Sequence, residues 1–230
     1  VSKQPNIASS AQRGVTLLEL LVSMVILSLG VLSVVSLQLV AQRNNADAGA
    51  QSVASQLAYD VLGRMHMNSY NSTAPGANST TLAQYITSAA NGVGHAQQGT
   101  EPSPHCDASG TACTGTQMAA HDVWAFEQSL DGAAEVVSST KTGGLLNPNA
   151  CITGPATGSA GDAGVYTVTV VWRGKIPLVN NAAVTCASTS TILDTYYGTA
   201  GECQAATGNS SAGNGCYRRT LQVTAYIGTS

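Results

Sequence analysis

Charge, aromatic rings and early cysteines are what this sequence has least of, and each shortage closes off a class of protein. Only 9% of the 230 residues are charged, with 9 Lys and Arg against 12 Asp and Glu, for a formal net charge of −3. Without a basic cluster nothing neutralises a phosphate backbone, so nucleic-acid binding is not expected. Aromatic residues reach 5% although hydrophobic residues reach 43%. The apolar content crowds toward the N-terminus and leaves a polar, small-residue-rich, loop-rich remainder. A G-x-S-x-G elbow is missing, and Gly174-Lys175 runs into Ile176 without the upstream glycine of a phosphate loop. No nucleophile, base and orienting group stand at catalytic spacing, so neither enzymatic activity nor a cofactor is expected. The length suits one globular domain plus a helical arm.

Proline is also absent between Pro5 and Pro75, and that interval holds the most strongly patterned part of the chain. Residues 1–14 form a short leader with Lys3 and Arg13 and no acidic group, a charge bias that keeps such a segment in the cytoplasm. The chain opens on Val1, which points to an alternative start codon or an incomplete leader. From Val15 to Val40 the run VTLLELLVSMVILSLGVLSVVSLQLV is apolar with Glu19 its only charge, long enough to cross a bilayer as a helix. A cleaved secretory signal would be shorter and end in small residues, so residues 15–42 are expected to be a retained membrane span. Beyond it, over 43–70, Ala50, Ala54, Leu57, Val61 and Met65 follow helical spacing and Asp60 can pair with Arg64. The same helix is expected to continue to about Met67 and to end in the Asn/Ser/Thr-rich stretch before Pro75.

Residues 71–230 read as the globular domain. Shorter helices are expected over Leu82–Ala90 and Gln117–Leu130. Tyr166, Val168, Val170 and Trp172, and again Leu221, Val223, Ala225 and Ile227, alternate with their neighbours as half-buried strands do. Between the strands, Pro177–Gly215 has few groups for a core and holds three cysteines that would have to tie it down. The fold class expected is therefore α+β, with a long N-terminal helix packed on an antiparallel β-sheet and disulfide-tied loops.

The sharpest chemistry lies at Arg13-Gly14-Val15-Thr16-Leu17-Leu18-Glu19. A carboxylate within a hydrocarbon layer costs several kcal/mol unless it meets a counter-charge. Cleavage after Gly14 would create one, since the new α-amino group of Val15 would lie about one helical turn from Glu19, or reach Glu19 of a neighbouring subunit. This arrangement resembles the type III signal of type IV prepilins. The resemblance implies that prepilin peptidase cuts between Gly14 and Val15, that Val15 is N-methylated, and that Glu19 is the acid pairing with a neighbour's amine during assembly. Val15 stands where these signals usually carry phenylalanine, and no proline lies near Ser36.

The stretches Ser55–Tyr70, Cys113–Leu130 and Tyr166–Gly174 further resemble the type IV pilus modification proteins, the PilV-like minor pilins. That resemblance implies a subunit of low copy that primes or modifies a type IV pilus, with the major pilin and other minor pilins as partners through the N-terminal helix. The precursor would sit in the bacterial inner membrane, N-terminus cytoplasmic and C-terminal domain periplasmic, before reaching the pilus on the cell surface. Two alternatives stay open: a minor pseudopilin of a type II secretion system, and a tip adhesin binding a surface receptor through the 177–215 insert.

Six cysteines, Cys106, Cys113, Cys151, Cys186, Cys203 and Cys216, all follow the apolar run, as expected of disulfides in an oxidising compartment. Six cysteines allow about 15 pairings and the sequence does not choose among them; Cys106 with Cys113 and Cys203 with Cys216 would close short local loops, and only on that choice does Cys151 fall to Cys186. A metal quartet of His105, Cys106, Cys113 and His121 fits no common zinc spacing, so no metal is expected. Trp124, Phe126 and Trp172 read as core, and Asp122, Glu127, Asp131 and Glu135 as solvated acids. Sequons begin at Asn71, Asn78 and Asn209, and no function is attached to them.

Overall fold

With no proline to break it, the chain after Gly14 forms one helix, α1 (Leu17–Tyr70), in the computed structural model. The structure describes residues 14–70, 77–87, 92–95, 98–133, 135–138, 140–141, 143–155, 159, 161–178, 185–209 and 213–228. Of the basic leader, residues 1–13 lie outside the described residues.

The two stretches of α1 differ because their sequences do. Every residue from Gly14 to Asn45 is exposed, although Leu17–Val40 is almost wholly apolar. This is a helix long and apolar enough to cross a membrane, with none of its most hydrophobic stretch buried. Its serines satisfy their own hydroxyls: Ser23 donates to the Glu19 carbonyl, Ser28 to Val25, Ser33 to Leu29 and Ser36 to Ser33. Internal satisfaction of that kind is what lets a hydroxyl enter hydrocarbon. The chain divides into two compact units, Val1–Asn45 and Ala46–Ser230.

Within the second unit the apolar spacing of α1 becomes a buried stripe of Ala54, Ala58, Val61, Leu62 and Met65, with Ala50 and Leu57 packed beside it. Asp60 and Arg64 pair on the opposite side, Oδ2 to Nε 2.8 Å. Next come α2 (Ala77–Tyr85) and α3 (Gly115–Leu130), the latter opened by a reciprocal capping box between Thr114 and Gln117. Helix α2 starts earlier than its apolar spacing predicts and stops at Tyr85, short of the expected Ala90, of which residues 88–90 lie outside the described residues. Its end has a tertiary cause: the Thr87 amide donates to the Ile152 carbonyl at 3.0 Å, and the Ile152 amide donates to Thr87 Oγ1 at 2.8 Å. Edge pairing overrides helix propensity there.

A two-residue hairpin, β1 (Val136–Val137) with β2 (Thr140–Lys141), precedes the main antiparallel sheet of β3 (Asn149–Thr153), β4 (Gly164–Arg173) and β5 (Arg218–Ile227). Strand β4 is central, and its ten residues pair with β5 from Gly164↔Ile227 to Arg173↔Arg218. The free side of β3 is bridged by Val93, which exchanges both backbone hydrogen bonds with Ala150, covering an edge otherwise open to pairing. That approach depends on Gly92, whose φ is +69° and whose place has no room for a side chain, since a Cβ would fall 1.9 Å from Asn149 Oδ1.

The predicted strand faces are present: Tyr166, Val168, Val170 and Trp172 are buried with Val223 and Ile227 against α1, α2 and α3 residues. The opposite face is not solvated as the alternation predicts. Val171 is fully buried too, in a second cluster with Cys151, Cys186, Ala187 and Tyr197, flanked by Ile192, Leu193 and Tyr196. The segment between β4 and β5, in which few core groups were expected, covers this side. It contains a short helix, α4 (Ser190–Ile192), continuing into a π-helical turn over Leu193–Tyr197, and then α5 (Ala200–Thr207), capped by Thr199 and Glu202.

Three disulfides tie the loops: Cys106–Cys113, Cys151–Cys186 and Cys203–Cys216, with Cα–Cα distances of 5.8, 5.7 and 5.5 Å. The architecture is α+β, a long N-terminal helix with a small antiparallel sheet and disulfide-tied loops, consistent with a pilin-like fold.

Candidate functional site

Gly14, Val15 and Thr16 precede the first turn of α1, and Glu19 stands within that turn. Thr16 is where the helix begins. Its hydroxyl accepts from the Glu19 amide at 3.3 Å and its carbonyl accepts from the Leu20 amide at 3.2 Å, as an N-cap residue does. The pattern Thr16-x-x-Glu19 is a sequence signal for a capped N-terminus that the reading of Glu19 as an assembly acid passed over. The two roles are compatible, because a carboxylate in the first turn also faces the positive end of the helix dipole. Gly14 has open space around it, nothing lying within 4 Å of where a Cβ would be. Val15 is 68% exposed. The scissile-bond candidate therefore lies on an accessible, non-helical stretch directly before a capped helix, the local condition for a peptidase to engage extended backbone.

The acids of α3 do something other than expected. Asp122 and Glu127 are buried, not solvated. Asp122 accepts from the Tyr85 hydroxyl and from Arg64 Nη1, while Asn68 Nδ2 donates to the Tyr85 oxygen at 3.0 Å and to the Gly115 carbonyl at 2.8 Å. This network joins α1, α2 and α3. Burial first, then the Asp122 carboxylate, push the Tyr85 phenol far above its ordinary range, so Tyr85 remains a hydrogen-bond donor at physiological pH. Glu127 holds backbone instead, accepting from the Gly94 amide at 2.9 Å and the Gln98 amide at 2.8 Å.

Along one face of α3 the preceding loop is held turn by turn. Asp131 accepts from the His95 amide, Glu127 from Gly94 and Gln98, and Trp124 Nε1 donates to the Gly99 carbonyl at 3.3 Å. Phe126 and Trp172 are core, as read from sequence, and Trp124 is half-buried. Cys106 and Cys113 are bonded to each other, so the quartet of His105, Cys106, Cys113 and His121 is not a ligand set. These contacts give the domain a polar frame.

Residues 9–35 match the family profile of the Prokaryotic N-terminal methylation motif, which spans Gly14, Val15, Glu19 and most of the apolar run. No match was found among curated proteins or among solved structures. The chain thus carries a prepilin-type signal on an exposed apolar helix ahead of an α+β domain, the combination that supports a pilin or pseudopilin.

Proposed function

We propose that the chain is a minor pilin of a type IV pilus, cleaved by prepilin peptidase between Gly14 and Val15, methylated on Val15, and incorporated through residues 15–42 to prime or modify pilus assembly. The observation that carries this reading is the methylation motif over residues 9–35 running into the first part of α1, where the apolar side chains from Leu17 to Val40 are exposed on every side. Such a surface is strongly unfavourable in water, at about 25 cal/mol per Å² of apolar area. It is at home in a bilayer and, after extraction, among the helices of other pilins.

In this mechanism the precursor waits in the inner membrane with its N-terminus cytoplasmic and residues 71–230 periplasmic. Cleavage then frees the Val15 amine, and Glu19 pairs with the amine of an adjacent subunit. Apolar packing supplies the strength of the bundle and the ion pair its register. The major pilin and other minor pilins are the partners, and the pilus on the cell surface is the destination.

Intact mass and N-terminal sequencing of the protein from cells with and without prepilin peptidase test this directly. A peptidase-dependent N-terminus at Val15, carrying one added methyl group, is the expected result; an uncut chain overturns the proposal. Fractionation then separates the pilus from a type II secretion filament, since a pilus subunit is recovered with sheared pili. Deleting the 177–215 insert while scoring piliation and surface binding separately asks whether that segment meets a surface receptor.

A further inference from the structure

We propose that Glu101, Asp107 and His121 form a binding site for a divalent transition-metal ion, with Zn²⁺ the best match, where the loop before α3 crosses that helix. One donor atom from each of the three lies within 4.8 Å of the other two. His121 Nε2 stands 3.4 Å from Glu101 Oε1 and 3.9 Å from Asp107 Oδ1. Tetrahedral Zn²⁺ with bonds of about 2.0–2.1 Å spaces its ligands roughly 3.3–3.5 Å apart. The three atoms are therefore near metal spacing already.

An acidic pair beside a histidine is common on protein surfaces, and burial sets this one apart. The His121 side chain is only 9% exposed, and both its Nε2 and Glu101 Oε1 are buried with no hydrogen-bond partner. A buried nitrogen and a buried carboxylate oxygen that face each other without a hydrogen bond are costly to leave so. An ion between them satisfies both and balances the two carboxylate charges. His105 lies outside this trio, but its Nδ1 is 3.0 Å from the same Glu101 oxygen on a side chain 60% exposed, so a rotation of that side chain would bring a fourth donor. Two oxygens with one or two imidazoles favour a borderline ion taking four ligands. Ca²⁺ and Mg²⁺ prefer larger all-oxygen shells.

The backbone beneath each ligand is also held, while the Asp107 side chain itself is 67% exposed. His121 is on the first half of α3. The approach to Glu101 is held by Gln98 on Glu127 and Gly99 on Trp124. Asp107 follows Cys106, whose bond to Cys113 fastens that loop just before the helix. With the backbone held, the freedom lost on binding is chiefly that of the Asp107 side chain.

The test is calorimetric titration of Zn²⁺ into the full chain in detergent micelles, stripped by chelator, with all six cysteines oxidised. Co²⁺ serves as a second probe, because its visible absorption reports coordination geometry in the parent chain and so does not depend on any variant folding. One saturable Zn²⁺ per chain and a four-coordinate Co²⁺ spectrum are expected. Glu101→Gln with Asp107→Asn should weaken Zn²⁺ binding by roughly 100-fold or more at unchanged circular dichroism, and His66→Gln should not alter it. The proposal is overturned by absence of saturable binding, by equal affinity in the double variant, by binding that appears only after disulfide reduction, or by Ca²⁺ binding more tightly than Zn²⁺.

Discussion

Glu19 meets two demands, one through its backbone and one through its carboxylate. Its amide closes the Thr16 cap, which the backbone alone supplies, while its proposed role in assembly needs the charge. Glu19→Gln separates them, because the amide side chain keeps the length and the cap but cannot form an ion pair. The variant is expected to be cleaved at Gly14–Val15 like the parent and yet to be missing from sheared filaments; equal incorporation would remove Glu19 from the assembly step. His95 offers a second single-residue test. Burial pushes its imidazole below the ordinary value, and Asp131 and Glu127 offset this only in part, while its ring stacks on Tyr196 at 3.8 Å. With the folded value below the unfolded one of about 6.5, the unfolded chain takes up the proton first. Its contribution is therefore whole above about pH 6.5 and is lost as pH falls below it. His95→Phe keeps the stacking ring without the titration, so denaturant midpoints measured above and below pH 6.5 should differ less in the variant than in the parent.

Helix α1 packs through small side chains: Ala54 and Ala58 are both fully buried, so its backbone lies close to its neighbours. Ala58→Leu is expected to destabilise the domain by about 1–3 kcal/mol through overpacking, and Met65→Ala by about 2–5 kcal/mol through the cavity it leaves. Thermal melts of the two variants check both, and an unchanged midpoint for Ala58→Leu would place that face elsewhere. Elements of this kind were legible from sequence because their signals are local. The stripe on α1, the span of α3 and the alternation on β4 and β5 each follow from spacing within one segment. What was not legible was decided at a distance. Strand β3 has only five residues and no alternation to announce it. The early end of α2 depends on Thr87 meeting Ile152, and the second buried layer on Val171 requires Tyr197 to arrive from a stretch whose few apolar groups are scattered among Thr, Ser, Asn and Gly. The acids Asp122 and Glu127 misled for the same reason, since carboxylates on a helix look solvated until the tyrosine, arginine and amides that bind them are brought across. The proposed metal cluster shares this origin, joining residues of a loop to one of a helix.

For the molecule as a whole, the division after Asn45 coincides with the last residue of a continuously exposed stretch, so Ala46–Ser230 has its own core and three disulfides without the apolar half of α1. A chain beginning at Ala46 is expected to be soluble without detergent and to unfold cooperatively; aggregation with free thiols would show that the apolar half is needed for folding. Within that unit the disulfides should not weigh equally. Cys151–Cys186 joins positions 35 apart in sequence and Cys106–Cys113 only 7. On chain entropy alone the longer closure stabilises by about 1.4 kcal/mol more. The longer bridge also links β3 to the segment covering the second buried layer, and both of its cysteines are themselves buried there. Replacing Cys151 and Cys186 together by alanine should therefore cost about 2–5 kcal/mol and loosen the cover over Val171. The matching pair of changes at Cys106 and Cys113 should cost less, and should act chiefly by freeing Asp107. Denaturant unfolding of the two double variants, with amide exchange followed on β4, decides between them. If the order of stabilities is reversed, the segment over Val171 is held by its packing and the bridge is secondary.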